Sequence, residues 1–178
     1  MNIPIYLNQN LKNTLQTNDI KFKDYMPAYG GESVGLDLFY TGTEKLIVLP
    51  VITYTPNMHP EAILFEENKA RTKTLIPTGL HIALPKGYGA FIMERGSITK
   101  TPLKVRAGVI DPGYTGEIFV NIVNLSQEKW IVEPQSKTPF QLVVMPVETM
   151  YQILDTEADY LEATQAAKRK EGMVGSSD

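Results

Sequence analysis

Residues 108–117 read Gly108-Val109-Ile110-Asp111-Pro112-Gly113-Tyr114-Thr115-Gly116-Glu117, and this stretch sets the organisation of the chain. A short apolar run ends in a carboxylate, turns through Pro-Gly, presents an aromatic ring, and turns again at Gly116 into a further apolar run. Proline second and glycine third in a turn supply the required backbone angles at little cost. The stretch therefore predicts a β-hairpin. Two readings of its polar residues fit that geometry. In one, Asp111 is simply a turn-former. In the other, Asp111 and Tyr114 stand together at the hairpin mouth, the carboxylate as a general base on water and the ring as a flat platform for a sugar.

Outward from this stretch the chain reads as short strands. Runs rich in branched apolar residues lie at 45–51 (KLIVLPV), 74–76, 81–84, 89–93, 117–123 and 141–145. Pro77, Gly79, Pro85, Gly87, Pro112, Gly113 and Gly116 cut between them. Short, punctuated strands without alternating helices predict an all-β fold: a sandwich, jelly roll or barrel. Residues 55–73 (TPNMHPEAILFEENKARTK) are polar and charged and predict an inserted loop with one helical turn. Residues 156–170 carry Ala158, Leu161 and Gln165 among good helix formers and predict a short helix. Residues 171–178 (EGMVGSSD) are too polar and Gly/Ser-rich to pack alone, which predicts a flexible C-terminal arm. No internal repeat or dividing linker stands out. The expected organisation is one domain over 1–168, followed by an arm over 169–178.

Charge is nearly balanced, with 17 Lys plus Arg against 20 Asp plus Glu. That argues against general nucleic-acid binding, which needs a basic face to neutralise phosphates. A single polyanionic small molecule remains compatible, because a few placed cations and backbone N–H groups suffice for it. The chain has no cysteine, which excludes disulfides and thiolate metal ligands. Its start, Met1-Asn2-Ile3-Pro4-Ile5-Tyr6, lacks the basic opening and apolar run of a signal peptide. No run approaches the roughly 20 apolar residues needed to span a bilayer. The expectation is a soluble cytoplasmic domain with neither a nucleic-acid nor a membrane partner.

Three further features carry possible chemistry. Glu94-Arg95-Gly96-Ser97 follows an apolar run. Arginine offers a fork of donors suited to phosphate, and Gly96 and Ser97 expose backbone N–H groups and a hydroxyl. The segment equally fits a strand-end turn with a surface arginine, and it lacks Walker-type spacing. Asp37, in Ser33-Val34-Gly35-Leu36-Asp37-Leu38, sits in an otherwise apolar strand pattern. An inward carboxylate is costly unless paired, so it needs a partner, either Arg95 or a metal-bound water. His59 and His81 have no ligand-like spacing, which argues against a histidine metal site.

In order along the chain, these segments resemble the trimeric dUTPase family. Residues 33–40 (SVGLDLFY) are similar to the family's first motif, and 77–88 (PTGLHIALPKGY) to its connecting hairpin. Arg95-Gly96-Ser97 falls at the second motif, and 108–117 matches the third closely. Gln141-Leu142-Val143 falls at the fourth, and 169–177 (RKEGMVGSS) resembles the Gly-rich fifth. The resemblance implies a mostly antiparallel, jelly-roll-like fold in a homotrimer whose active sites are each shared by three subunits. It implies hydrolysis of dUTP to dUMP and diphosphate with Mg²⁺. Asp111 would then deprotonate the water attacking the α-phosphorus, and Tyr114 would pack under the deoxyribose and exclude a 2′-hydroxyl. Backbone groups of Gly108, Val109 and Ile110 would read the uracil edge. Arg95, Gly96, Ser97 and Gln141 would hold the phosphates, with Mg²⁺ chelated by the triphosphate and Asp37 reaching it only through water. On the arm, Arg169, Ser176 and Ser177 would grip the γ-phosphate, and Val174 would cap the base.

The sequence departs from the family pattern in four places. Gly96 replaces the second motif's first serine, and the fourth motif lacks its usual Gly and Arg, reading Ser136-Lys137-Thr138-Pro139. In the fifth, Val174 stands for an aromatic and Met173 for a glycine, and Thr115 stands where Arg is common. These bear on phosphate grip and lid stacking more than on hydrolysis. Two other readings compete. A dCTP deaminase, on the same fold, needs a carboxylate three residues before the Asn that ends the following strand. Counting back from Asn124 gives Asn121, which cannot shuttle protons. A non-catalytic trimeric scaffold is the other, with 55–73 as a contact surface.

Overall fold

The computed structural model describes residues 3–27, 32–50, 74–148, 156 and 158–159. The chain forms two units, Met1–Val147 and Glu148–Asp178. In the second, Ala158 and Asp159 are helical, and the Thr156 hydroxyl accepts the Asp159 N–H at 3.2 Å as an N-cap does. The rest of the helix expected over 156–170, the 55–73 insert and the 168/169 boundary lie outside the described residues.

The first unit is built of short strands: β1 (Ile5–Leu7), β2 (Leu36–Phe39), β3 (Leu46–Val48), β4 (Thr74–Pro77), β5 (Leu80–Ile82) and β6 (Tyr88–Glu94). After these come β7 (Leu103–Arg106), β8 (Val109–Ile110), β9 (Phe119–Asn124), β10 (Trp130–Val132) and β11 (Lys137–Pro146). They form a four-stranded sheet ordered β2-β11-β6-β8, a three-stranded sheet β4-β9-β7, and the pairs β1-β5 and β10-β3. Among the described residues, every pairing between these strands is antiparallel. The expected all-β, mostly antiparallel class is therefore the observed one.

One apolar core joins the two larger sheets. Val120 and Ile122 alternate inward along β9, and Ile76 and Leu103 come from its neighbours. Leu38, Ile92, Phe140 and Leu142 come from the four-stranded sheet. Buried polar groups on and between these strands are bonded: the Thr138 hydroxyl donates to Leu38 O at 2.7 Å and the Thr78 hydroxyl to Ile118 O at 2.6 Å. Asn124, fully buried, donates to Val48 O and Glu128 O and accepts from Ser126, so it ties the end of β9 to β3 and to the turn before β10.

Several expectations change. Residues 108–117 are not a hairpin: β8 pairs with β6, whereas β9 pairs with β4 and β7. Both edges of β9 are already occupied, so β8 has no edge of it to join. The chain instead changes sheets at Ala107, whose φ of 50° is unusual for a residue with a β-carbon. Ile92 N–H then binds Gly108 O at 2.7 Å. A β-carbon on Gly108 would lie 2.8 Å from Ile92 O, so only glycine permits this approach.

Residues 77–88 are likewise a corner rather than a connecting hairpin. β4 joins β9, the chain turns at Gly79 (φ 66°), and β5 joins β1. Of the strand expected at 45–51, the described residues pair as a strand over Leu46–Val48 and add an isolated bridge from Pro50 to Asn124. β1, β7 and β10 were not anticipated. Nor was helix α1 (Gln9–Thr17), although Asn8 caps it by accepting Leu11 N–H at 3.0 Å and Leu11, Thr14 and Leu15 form its buried face. No helix among the described residues is long and apolar enough to cross a membrane.

Candidate active site

The four-stranded sheet sets Asp37, Gln141 and Met93 side by side in register. Asp37 finds the partner its strand position demands. Its Oδ1 lies 2.7 Å from Arg95 Nε, and its Oδ2 is bound by Lys137 Nζ at the start of β11. One carboxylate and two cations leave a net positive charge. Arg95 directly follows β6, and its N–H donates to Pro139 O at 2.9 Å, which fixes the base of its side chain. Gln141 Nε2 donates to Glu94 O at 3.3 Å, while Glu94 pairs with Lys104 at 2.9 Å. Behind the cluster the buried Tyr25 hydroxyl donates to the Asp37 carbonyl. Burial, and then the charge of Asp37, push this phenol well above its ordinary value. Gly96 and Ser97 begin an exposed 3₁₀ turn, Gly96–Lys100, next to Arg95.

The crossing between the sheets is built differently. Tyr114 N–H closes the Pro112-Gly113 turn onto Asp111 O at 3.0 Å. The Tyr114 hydroxyl donates to Glu117 O at 2.6 Å. Glu117 Oε1 accepts Gly79 N–H at 2.8 Å, and His81 Nδ1 lies 3.2 Å from Thr115 O. The segment is thereby strapped to the β4–β5 corner, leaving Asp111 exposed and Tyr114 43% exposed. Register assigns the backbone of β8. Gly108 and Ile110 face β6, so Val109 turns its N–H and C=O to the open edge.

The structure brings Asp37, Arg95 and Gln141 together but leaves Asp111 and Tyr114 apart from them. With strands about 4.8 Å apart and residues about 3.4 Å apart along them, Asp37 and Ile110 are separated by roughly 15–20 Å. Lys137, Tyr25 and the Glu117 strap did not stand out in the sequence as parts of a site. Glu117 lies inside the quoted stretch, but its acceptor role depends on Gly79, which is remote in sequence. Arg169, Val174, Ser176 and Ser177 lie outside the described residues. Among the described residues no three His, Cys, Asp or Glu side chains gather to hold a metal ion.

Known proteins share this arrangement of strands. A family model described as dUTPase matches residues 62–178. The deoxyuridine 5'-triphosphate nucleotidohydrolase of Burkholderia ambifaria (strain MC40-6) is 30% identical over 174 residues, 94% of this chain and 98% of the relative. That of Tropheryma whipplei (strain Twist) is 40% identical over 80 residues, 43% of this chain and 55% of the relative. Among solved structures, the dUTPase from phage phi11 of S. aureus superposes with a TM-score of 0.58 at 18% identity, covering 89% of this chain and 99% of that one. A variant of the dUTPase from Staphylococcus bacteriophage 80alpha gives a TM-score of 0.60 at 18% identity, covering 99% and 98%. At such identities these two structures speak to the fold alone.

Proposed function

Because the chain belongs to the dUTPase family, we propose that it hydrolyses dUTP to dUMP and diphosphate, at sites assembled between copies of the chain in a homotrimer. One observation carries the reading. The molecule holds two complementary half-sites, a cation cluster fit for phosphates and an exposed carboxylate beside an aromatic ring, and a single chain keeps them too far apart to act on one nucleotide. A second copy, offering its crossing segment to the first copy's cluster, removes the gap.

In this reading Asp111 takes a proton from the water that attacks the α-phosphorus. Its exposure leaves the carboxylate open to solvent and substrate. Tyr114, held by its own hydroxyl on Glu117 O, presents its ring to the deoxyribose and leaves no room for a 2′-hydroxyl. The open N–H and C=O of Val109 meet the uracil edge, while Gly108 and Ile110 keep β8 in place. Cytosine presents the opposite donor and acceptor, and an unpaired buried polar group discriminates strongly. Arg95, Gly96, Ser97 and Gln141 take the phosphates, and the arm, through Arg169, Val174, Ser176 and Ser177, closes the site. Asp37 has both oxygens engaged by cations, so a direct protein seat for Mg²⁺ does not fit here. The ion belongs with the triphosphate oxygens, whose charge it offsets. We place the activity in the cytoplasm.

Diphosphate release from dUTP and ammonia release from dCTP, measured on the purified protein with Mg²⁺, test the assignment. The expected result is turnover of dUTP only, falling by about a thousandfold in Asp111→Asn, with a trimeric mass by light scattering. Intact dUTP, or an Asp111→Asn variant that behaves as the parent, refutes it. Ammonia from dCTP would favour the deaminase reading, which the half-buried Asn121 on β9 disfavours because an amide is no proton shuttle.

A further inference from the structure

Asp37 receives two cations where one would neutralise it. Arg95 and Lys137 each take one of its oxygens, although the carboxylate side chain is only 16% exposed. Holding a second long side chain in one geometry has an entropic cost, and excess positive charge near a sheet gains nothing by itself. The excess is understandable if an anion completes the group.

Among the described residues, neither cation has used up its donors. Arg95 turns Nε to Asp37, and its Nη1 makes only a long 3.5 Å approach to Thr138 O. Lys137 has three N–H donors, and 42% of its side chain is exposed. The carboxylate of Glu94 is already paired with Lys104 and so does not compete for them. The root of Lys137 is fixed as well: it stands opposite Phe39 in the ladder, and the next residue, Thr138, is pinned by its hydroxyl to Leu38 O.

We propose that Lys137 is a phosphate-binding residue of the dUTP site, its ammonium aimed by Asp37 to act beside Arg95 on the triphosphate. Asp37 is then the positioning residue for both cations. This deepens the dUTP reading and rests on it. Because the cluster meets only phosphates, its loss touches nucleotides in proportion to their phosphate charge and leaves the nucleoside alone.

Titration calorimetry with two probes, the α,β-imido analogue of dUTP and deoxyuridine, tests this on the full chain. Lys137→Met is expected to weaken the imido nucleotide about tenfold or more, to leave deoxyuridine within about twofold, and to flatten the salt dependence of nucleotide binding. Lys137→Arg restores most of the affinity. The proposal is overturned if Lys137→Met binds both probes as the parent does, or loses both in the same proportion, which is what a merely structural lysine would give. Should Lys137→Met fold poorly by thermal melting, Lys137→Gln, which keeps a hydrogen bond to Asp37, is read the same way. A parent protein that leaves dUTP intact defeats the dUTP reading and this proposal with it. A parent that turns dUTP over while Lys137→Met and Lys137→Gln bind normally defeats this proposal alone.

Discussion

The cluster around Asp37 and the crossing at 111–117 are two solutions to placing chemistry on strands. The first is made of side chains from two neighbouring strands and from the residue that follows a third, and ion pairs hold it. In the second, every bond ends on a backbone group: Tyr114 N–H on Asp111 O, the Tyr114 hydroxyl on Glu117 O, and Gly79 N–H on the Glu117 carboxylate. A side-chain cluster needs only charges of the right sign at the right reach, so different residues satisfy it. A backbone-held crossing needs particular torsions, so proline and glycine positions constrain it closely. This fits the departures from the family's pattern at Gly96 and around Lys137, beside the cluster, and the close match of 108–114; Thr115, in the crossing, and Met173 and Val174, on the arm, depart from it as well.

The two regions should therefore fail differently. The largest effect on stability is expected from Asp37→Ala, which leaves Arg95 and Lys137 repelling one another without their carboxylate. It should cost about 2 kcal/mol of stability by chemical denaturation, and nucleotide binding should weaken with it. A loss well under 1 kcal/mol (roughly that of a surface pair) would mean that the cluster is solvated and not preorganised.

Glu117→Ala tests the crossing. Losing the acceptor of Gly79 N–H should cost about 1 kcal/mol and lower kcat several-fold with little change in KM, because the segment still forms but holds Asp111 and Tyr114 less steadily. An equal rise in KM would instead place Glu117 in direct contact with substrate.

The smallest effect, nil near neutrality, concerns pH. The Tyr25 phenol keeps its proton in the folded protein beyond pH 10.0, where an ordinary tyrosine ionises. Above that pH the unfolded chain releases a proton that the native chain retains, so stability should fall by about 1.4 kcal/mol per unit of rising pH. Tyr25→Phe should flatten that fall. Denaturation curves between about pH 9 and pH 11 provide the comparison.

Much of this was legible from residues that act locally. The Pro112-Gly113 turn, the apolar run at 117–123 and the need of Asp37 for a partner all follow from neighbours in the chain or from the cost of a buried charge. Helix α1, with Asn8 as its cap and Leu11 and Leu15 on its buried face, was not read from the sequence, because a nine-residue helix offers only about two turns of periodicity. Lys137 offered no signal of its own. A lysine in a polar stretch reads as a solvated side chain until a strand brings it against a carboxylate from the far side of the sequence.

The sequence by itself determined the strand-rich class, the positions of the sharp turns and the residue types able to meet a nucleotide, because torsional preference and burial act residue by residue. Tertiary structure alone decided which edges pair. It gave β8 to β6 and not to β9, turned the expected hairpin into a crossing, set Lys137 beside Arg95, and held Asp111 away from both. The physical reason is that a strand's hydrogen-bonding edge is the same for every partner. The choice falls to whichever pairing leaves no buried apolar face uncovered and no edge used twice.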